Sequence, residues 1–315
     1  MPILFIMKKF LSALVLITAS NYLMSTEISL TAATAISSDG SDYTAPVFSP
    51  DGKKIAYTGP KYKGIFVYDT EKNTSDKLTS AESSGYGFSF SGDSKAIVFL
   101  ANENELKKIQ KINLQTKKIN DVFSSNKKVG VPYWHKNGEI SFTVNSELHY
   151  YNPQGIFLRK IDGVKGHKIG FFNDAPVHLD KDSVKLKEKN IAIDGKCYSV
   201  EVSETAKKLL IHKIRDGHIY IVDLVFGGKI DLGEGYAGKF SPDGKWVIAD
   251  VSKDDGHNIT SSELWLLSVN GTERIQITNT PDKIEMYPSF SPDGREIVFS
   301  DLKSGKIFRS KIDIK

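Results

Sequence analysis

A repeated segment of twelve residues constrains the fold of this chain more than any other feature of its sequence. The clearest copies begin at Pro46, Gly238 and Pro288, and each reads as an apolar strand, the turn Ser-Pro-Asp-Gly, and a second apolar strand. In such a turn, proline presets φ at the second position, aspartate bonds nearby backbone, and glycine accepts the positive φ that closes a hairpin. Each copy therefore predicts the first hairpin of a small antiparallel sheet.

The repeat continues through most of the chain in weaker forms. Recognisable copies begin at Phe88, Pro132 and Val202, and a degenerate one lies around residues 169–174. Further strands of alternating polarity follow the hairpins. Four strands in a period of about 41 residues are typical of the blades of a β-propeller.

The number and closure of the blades can also be predicted. Residues 26–315 contain seven periods of this length, or six if residues 163–197 are an insertion. The last copy stops one strand short of a blade, and residues 28–31 resemble the final strand of the earlier units. We therefore predict an all-β fold, a closed propeller of seven blades whose last blade is completed by the N-terminal strand, which removes an exposed edge.

The N-terminus has the pattern of a secretory signal. Lys8 and Lys9 precede the apolar residues 10–19, and small residues follow. The apolar run is shorter than the roughly 20 residues that span a bilayer. We predict a signal peptide at residues 1–25, a propeller domain at residues 26–315, a periplasmic or secreted location, and no stable membrane span after cleavage. An uncleaved anchor is the alternative.

Composition excludes two further classes of protein. Cys197 is the only cysteine, so a disulfide within the chain is impossible. The net charge is +4 and the lysines are scattered, whereas a nucleic-acid-binding surface needs clustered basic residues. We expect that the protein has no nucleic-acid partner. We also expect that it is a monomer.

The repeat resembles that of a known family. The segment Phe-Ser-Pro-Asp-Gly-Lys-Lys-Ile at residues 48–55, its counterparts at 240–247 and 290–297, and the Leu-Thr ending at residues 78–79 are similar to the TolB-like β-propeller repeat. The resemblance covers nearly all of the chain after the signal. The protein for which the family is named has an additional α/β domain before its propeller, and we expect no counterpart of that domain in this chain. This difference weakens any transfer to this chain of that protein's role in an envelope complex.

This resemblance implies where a ligand would bind. In the family, the first strand of each blade lines the central channel. The loops between blades and the loops between the second and third strands form one rim of this channel, and the Pro-Asp-Gly turns lie on the opposite face. Aromatic rings near the start of the first strands could then form a binding rim with the acidic residues of one hairpin, or could pack between blades. The candidate rim residues are Tyr43, Tyr86, Tyr236, Tyr287, Asp254 and Asp255. Trp134 aligns with Phe48 and is assigned to the core.

Histidines near the same rim suggest a second kind of site. His218 and His257 each follow an Asp-Gly pair in a hairpin, and His167 lies in a link between blades. Imidazoles with nearby carboxylates can bind a divalent metal ion, as in propeller lyases that act on pectic oligosaccharides. Asp-Gly is also an ordinary hairpin turn, which would explain the pattern without a metal.

The sequence lacks the motifs of several enzyme classes. A Gly-x-Ser-x-Gly elbow, a Walker motif and His-Glu-x-x-His are all missing. We therefore expect a binding module without a cofactor, whose partner is a protein, a peptide or an envelope glycan. The alternatives are a metal-assisted carbohydrate enzyme that uses the rim histidines, and a sensor or scaffold domain of a larger surface complex.

Overall fold

The computed structural model describes residues 26–37, 39–180, 183–187, 189–193, 195–214 and 216–315. The predicted signal peptide lies outside the described residues. The described chain forms seven antiparallel sheets in a propeller arrangement, together with a short 3₁₀ helix at Pro60–Tyr62. In blades 1 to 6 the four strands pair in chain order from the channel outwards.

The first three blades contain twelve strands. Blade 1 consists of β3 (Thr44–Phe48), β4 (Lys54–Thr58), β5 (Ile65–Asp69) and β6 (Thr74–Thr79). Blade 2 consists of β7 (Phe88–Phe90), β8 (Ala96–Glu103), β9 (Leu106–Asn113) and β10 (Ile119–Ser125). Blade 3 consists of β11 (Tyr133–Trp134), β12 (Ile140–Val144), β13 (Glu147–Tyr151) and β14 (Phe157–Asp162).

The next three blades follow the same plan. Blade 4 consists of β15 (Gly170–Phe172), β16 (Ala175–Asp180), β17 (Ser183–Leu186) and β18 (Lys189–Ala192). Blade 5 consists of β19 (Cys197–Ser203), β20 (Lys208–Lys213), β21 (His218–Asp223) and β22 (Lys229–Glu234). Blade 6 consists of β23 (Tyr236–Phe240), β24 (Trp246–Asp254), β25 (Ile259–Ser268) and β26 (Arg274–Gln276). Strands β15 to β18, which lie within residues 163–197, thus form blade 4, and the six-bladed alternative with an insertion there is wrong.

Blade 7 is built from both ends of the described chain. Its inner strands are β27 (Glu285–Phe290), β28 (Glu296–Asp301) and β29 (Lys306–Ile314), and β1 (Ile28–Leu30) pairs antiparallel with the end of β29. The short β2 (Thr34–Ala35) pairs with an earlier part of β29. The predictions of seven blades and of closure by the N-terminal strand are confirmed.

The repeated aspartates stabilise the hairpin turns, as predicted. Asp51 Oδ1 accepts hydrogen bonds from Ser49 Oγ at 2.5 Å and from the Lys53 backbone N–H at 3.0 Å. The same two bonds recur at Asp93, Asp243 and Asp293. The bonds lower the pKa of Asp93 and of Asp293. These carboxylates are parts of turns on one face of the molecule, which we call the turn face.

The hydrophobic core lies between neighbouring blades rather than at the centre of the ring. Between blades 6 and 7, for example, Leu264 and Leu266 pack against Phe299 and Ile312. Trp134 packs against the cluster shared by blades 2 and 3, which confirms its assignment to the core. Because each blade buries one face against the next, the centre of the ring is left open. Among the described residues there is no helix long and apolar enough to cross a membrane.

Candidate functional site

The principal candidate site is a central funnel that opens on the face opposite the turns. It has a volume of about 720 Å³ and receives residues from all seven blades. Its wall is formed by the inner strands, by the links that precede them, and by the β24–β25 hairpin. A smaller cavity of about 420 Å³ lies on the turn face between blades 6 and 7, and turn residues such as Asp243 and Asp293 line it. Their carboxylates are already hydrogen-bonded within the turns, so the funnel is the better site.

An arc of aromatic rings covers one side of the funnel mouth. The rings of Tyr62 and Tyr86 meet edge to face with centroids 5.3 Å apart, and Tyr86 meets His167 in the same way at 4.9 Å. Tyr287 extends the arc by a hydrogen bond to Tyr62, and burial together with this contact and nearby Asp250 raises its pKa to about 12. Such rings offer flat, amphipathic surface with a polar tip. The arc can therefore contact an apolar or planar group of a ligand.

Two more tyrosines line the opposite wall. Tyr198 is 48% exposed and lies 5.3 Å, centroid to centroid, from the ring of His212. Tyr236 is 41% exposed. Aromatic side chains left this open in a concave surface are typical of binding sites.

The floor of this wall carries three charged side chains. Lys239 Nζ lies 2.6 Å from Glu201 Oε2, and Lys168 Nζ lies 3.6 Å from the same oxygen. Burial alone would raise the pKa of Glu201, but the two ammonium groups outweigh it and lower the pKa to about 2. Glu201 is therefore ionised and shared by two cations.

A serine–histidine pair adjoins this cluster. Ser199 Oγ lies 2.6 Å from His212 Nδ1, and the backbone N–H of Gly238 donates to His212 Nε2 at 2.9 Å. Burial lowers the pKa of His212 to about 4, so the ring is neutral at pH 7. Because Nε2 accepts from Gly238, the single ring proton must lie on Nδ1, where it is donated to Ser199. His212 therefore cannot remove a proton from Ser199 in this arrangement, and the pair is structural.

Asp250 is the second acidic residue of the funnel, after Glu201, whose pKa is shifted from its ordinary value. It is fully buried on β24, and its carboxylate accepts hydrogen bonds from the Tyr287 N–H at 3.0 Å and from Ser252 Oγ at 3.4 Å. Burial raises its pKa to about 6. The carboxyl can thus exchange a proton near neutral pH, but its position beneath the wall keeps it from direct contact with a ligand.

The structure divides the predicted rim residues into two groups. Tyr86, Tyr236, Tyr287 and Asp254 line the funnel. Tyr43 is only 8% exposed and packs against Tyr57 and Phe66 in the core between blades 7 and 1. Asp255 accepts bonds from the backbone N–H groups of His257 and Asn258 within its own turn, outside the funnel lining.

The three candidate metal ligands do not come together. His167 lies in the aromatic arc, whereas His218 Nδ1 is 3.1 Å from Asp231 on the neighbouring strand of blade 5. His257 belongs to the exposed tip of the β24–β25 hairpin. Within the part of the chain that the structure describes, no group of three or more histidine, cysteine or acidic side chains could hold a metal ion.

Several funnel residues were not found from the sequence. They are Tyr62, Lys168, Tyr198, Glu201, His212, Lys239 and Asp250. A signal was present for two of them, because Glu201 and Lys239 occupy the repeat position of Val47, which lines the funnel in blade 1.

The similarity of this chain to known proteins is one of structure. No protein-family model matches the chain, and no curated protein matches it. Among solved structures, the chain is similar to TolB from Acinetobacter baumannii, with 20% identical residues and a TM-score of 0.47. The similarity covers 74% of this chain and 53% of that one, so the chain spans about half the length of that protein.

Proposed function

We propose that this propeller is a binding module whose funnel takes up a segment of a peptide or of another protein. The observation that carries the proposal is the funnel itself, a large concave surface to which all seven blades contribute. A concave, mostly apolar surface with a few convergent polar groups is the usual form of a ligand site. The tyrosines of both walls supply the kind of anchor contacts that dominate binding energy.

The lining favours a peptide over a glycan. Much of the wall is aliphatic, with Val47, Val131, Leu179, Ile259 and Met286 among its residues. A glycan presents many hydroxyl groups, and each one that is desolvated without a hydrogen bond weakens binding. A peptide with apolar side chains would bury this surface at a gain of roughly 25 cal/mol per Å².

The arrangement of the polar groups favours binding over catalysis. The one serine–histidine pair in the funnel lining has its ring proton on the side of the serine, so the serine is not activated. The ionised Glu201 is held between two lysines, which suits a fixed electrostatic feature better than a proton carrier.

We propose in addition that the protein is exported. The basis is the basic and apolar pattern of residues 8–19. N-terminal sequencing of protein expressed in a Gram-negative host should give a mature chain that starts near residue 26 and is found outside the cytoplasm. Retention of Lys8 and Lys9 in a cytoplasmic product would contradict this.

A peptide-display selection with matched variants tests the binding function. The chain is immobilised, peptides are selected from a random library, and their affinities are measured for the wild type, Tyr86→Ala and Tyr236→Ala. Each funnel variant should weaken binding about tenfold or more, because it removes an anchor ring. Phe226→Ala is the control, since Phe226 is an aromatic residue 90% exposed on a hairpin outside the funnel lining.

Three results would contradict the proposal. They are a selection that yields no peptide above background, binding that is insensitive to both funnel variants, and binding that is lost only in Phe226→Ala. If oligosaccharides bind more tightly than any selected peptide, the ligand assigned to the funnel would be a glycan instead of a peptide.

A further inference from the structure

We propose that Lys168, beside Lys239, forms a subsite for a carboxylate of the bound peptide. This inference rests on the proposed function, because it names the chemistry that one part of the funnel recognises. The carboxylate can belong to an acidic side chain or to a chain terminus. The remaining wall would hold the apolar part of the same ligand.

The charge balance at the floor of the funnel is the first argument. Among the described residues, Glu201 is the only carboxylate within ion-pair distance of either lysine. Lys239 takes the short contact at 2.6 Å, whereas the 3.6 Å between Lys168 and Glu201 is longer than an ordinary hydrogen bond. Two cations thus share one anion, and the ammonium group of Lys168 is the one that is incompletely satisfied.

The accessibility of Lys168 is the second argument. It belongs to the funnel lining, yet 57% of its side chain remains accessible, compared with 30% for Lys239. The neighbouring Lys239 lowers the pKa of Lys168 by repulsion. An anion placed beside Lys168 would relieve this repulsion and gain a charge-assisted hydrogen bond, which is stronger than a neutral one.

The net charge of the two lysines and Glu201 favours a ligand group with a single negative charge. Two lysines and one ionised glutamate leave a single positive charge, which one carboxylate neutralises. A phosphate dianion would leave a charge of about −1 in the same place. Tyr198 and Tyr236 line the same side, so an apolar group next to the carboxylate would find ring surface.

Short peptides that differ only in the carboxylate test the proposal. The probes are N-acetyl-Ala-Phe and its C-terminal amide for the chain terminus, and N-acetyl-Phe-Glu-amide and N-acetyl-Phe-Gln-amide for the side chain. Affinities are measured by NMR titration of the wild type, Lys168→Gln and Lys165→Gln. Lys165 is the matched control because it is an exposed lysine in the same link and lies outside the funnel lining.

The expected result is a preference for one of the two acids over its amide. With the wild type and Lys165→Gln, that acid should bind about tenfold more tightly than its amide, and the preference should fall to about twofold or less in Lys168→Gln. The pair that shows the preference identifies the source of the carboxylate.

The outcomes separate this inference from the proposed function. Equal affinities of acid and amide in both pairs, or an undiminished preference in Lys168→Gln, would overturn the carboxylate subsite while leaving the peptide-binding funnel. If no probe binds the wild type, the subsite is overturned, and the display selection then decides whether the funnel binds peptides. Methyl glucuronide serves as a non-peptide acid, and its binding more tightly than every peptide would overturn the assignment of a peptide ligand.

Discussion

Asp250 and His212, two buried titratable residues of the funnel, have pKa values displaced in opposite directions by one cause. Burial disfavours a charge, so it raises the pKa of Asp250 to about 6 and lowers that of His212 to about 4. In both cases burial shifts the proton equilibrium toward the neutral form, and at pH 7 this leaves His212 neutral and Asp250 partly protonated. Because His212 is neutral at pH 7, the charges beside it on the floor are those of Lys168, Glu201 and Lys239, where we place the carboxylate.

The shift at Asp250 makes a prediction about stability. Its folded pKa of about 6 lies above the ordinary value of 3.8, so the folded state binds more protons than the unfolded state between these values. The stability from this group is therefore fully present below pH 3.8 and is lost as the pH rises through 6, a total of about 3 kcal/mol at most. Asp250→Asn cannot ionise, and its amide oxygen can still accept from the Tyr287 N–H.

Urea unfolding at pH 4.5 and pH 8 measures this effect. The free energy of unfolding of Asp250→Asn, minus that of the wild type, should be larger at pH 8 than at pH 4.5 by about 2 kcal/mol. Other titrating groups, including His212, are common to both proteins and cancel in the difference. An equal difference at the two pH values would show that Asp250 ionises in the folded state as freely as in water.

The proton position on His212 is a second prediction at this scale. We expect ¹⁵N NMR of the imidazole to show a neutral ring with the proton on Nδ1, and no titration above about pH 5, because Gly238 donates to Nε2 and burial lowers the pKa to about 4. A proton on Nε2, or a titration near pH 6.5, would contradict the geometry. Either result would also reopen the possibility that His212 activates Ser199.

At the scale of the strand, a bulge recurs in three inner strands. β3, β23 and β27 each have a register shift near a non-glycine residue with positive φ, namely Ala45 at 52°, Ala237 at 47° and Tyr287 at 54°. The three residues occupy the same position of the repeat. In blade 7 the bulge leaves the Tyr287 N–H free to bond Asp250 of blade 6, so it joins neighbouring blades at the funnel wall.

The strain at such a bulge can be measured in blade 6. A left-handed conformation costs a non-glycine residue roughly 1 kcal/mol or more, whereas glycine adopts it freely. Ala237→Gly should therefore leave the free energy of unfolding unchanged or raise it by up to about 1 kcal/mol, since relief of strain offsets the greater freedom of the unfolded chain.

A buried alanine of the next strand supplies the control. Ala249 is fully buried on β24 and has no positive φ, so Ala249→Gly should lower the free energy of unfolding by about 1 kcal/mol or more. Urea unfolding of both variants gives the comparison. A loss of the same size at both positions would mean that the bulge at Ala237 is not strained.

The position within the repeat distinguishes the predicted rim tyrosines that reach the funnel from the one that does not. Tyr86 and Tyr236 share one position of the repeat and both reach the funnel, whereas Tyr43 lies one position earlier. Tyr43 precedes β3 and packs in the core between blades 7 and 1. Proximity to the first strand is too coarse a criterion, and the repeat position is the useful one.

The remaining funnel residues depend on features that the repeat does not encode. The turn residues recur, so blade number, hairpin positions and closure could all be predicted. Lys168 lies in the link before the most degenerate copy, and His212 and Asp250 belong to second strands. Their contacts join different blades, as in the bond from Gly238 to His212, and a pattern read within one blade cannot reveal them.

At the scale of the whole molecule, the two ends of the described chain lie on the face opposite the funnel. The backbone N–H of Glu27 donates to Lys315 O at 3.2 Å, and the N–H of Lys315 donates to Glu27 O at 2.9 Å. Thr26 and Lys315 both line the cavity on the turn face. A tag or surface attachment after Lys315 therefore leaves the funnel accessible in the binding experiments.

Closure of the ring rests on a short strand. Among the residues that the structure describes, β1 alone covers the end of β29, with Leu30 opposite Ile312. Its residues Ile28 and Leu30 are half-buried against the core of blades 6 and 7. Thr26 adds a hydrogen bond to Glu273 at 2.9 Å. Removal of β1 would expose both this apolar surface and the free edge of β29.

We expect a chain of residues 32–315 to be less stable than one of residues 26–315 and to self-associate. The loss of two half-buried aliphatic side chains should cost about 2–4 kcal/mol in the free energy of unfolding, because their apolar surface and that of their partners becomes exposed. The uncovered edge of β29 can pair with a second copy, so light scattering after gel filtration should detect dimers or larger species that the longer chain does not form. Ser29→Lys in the longer chain is the control, because Ser29 is the exposed residue of β1 and its change should leave both properties unaltered. A shorter chain that stays monomeric and unfolds at the same urea concentration would mean that the first sheet-forming residues are dispensable and that the ring is closed by packing between blades alone.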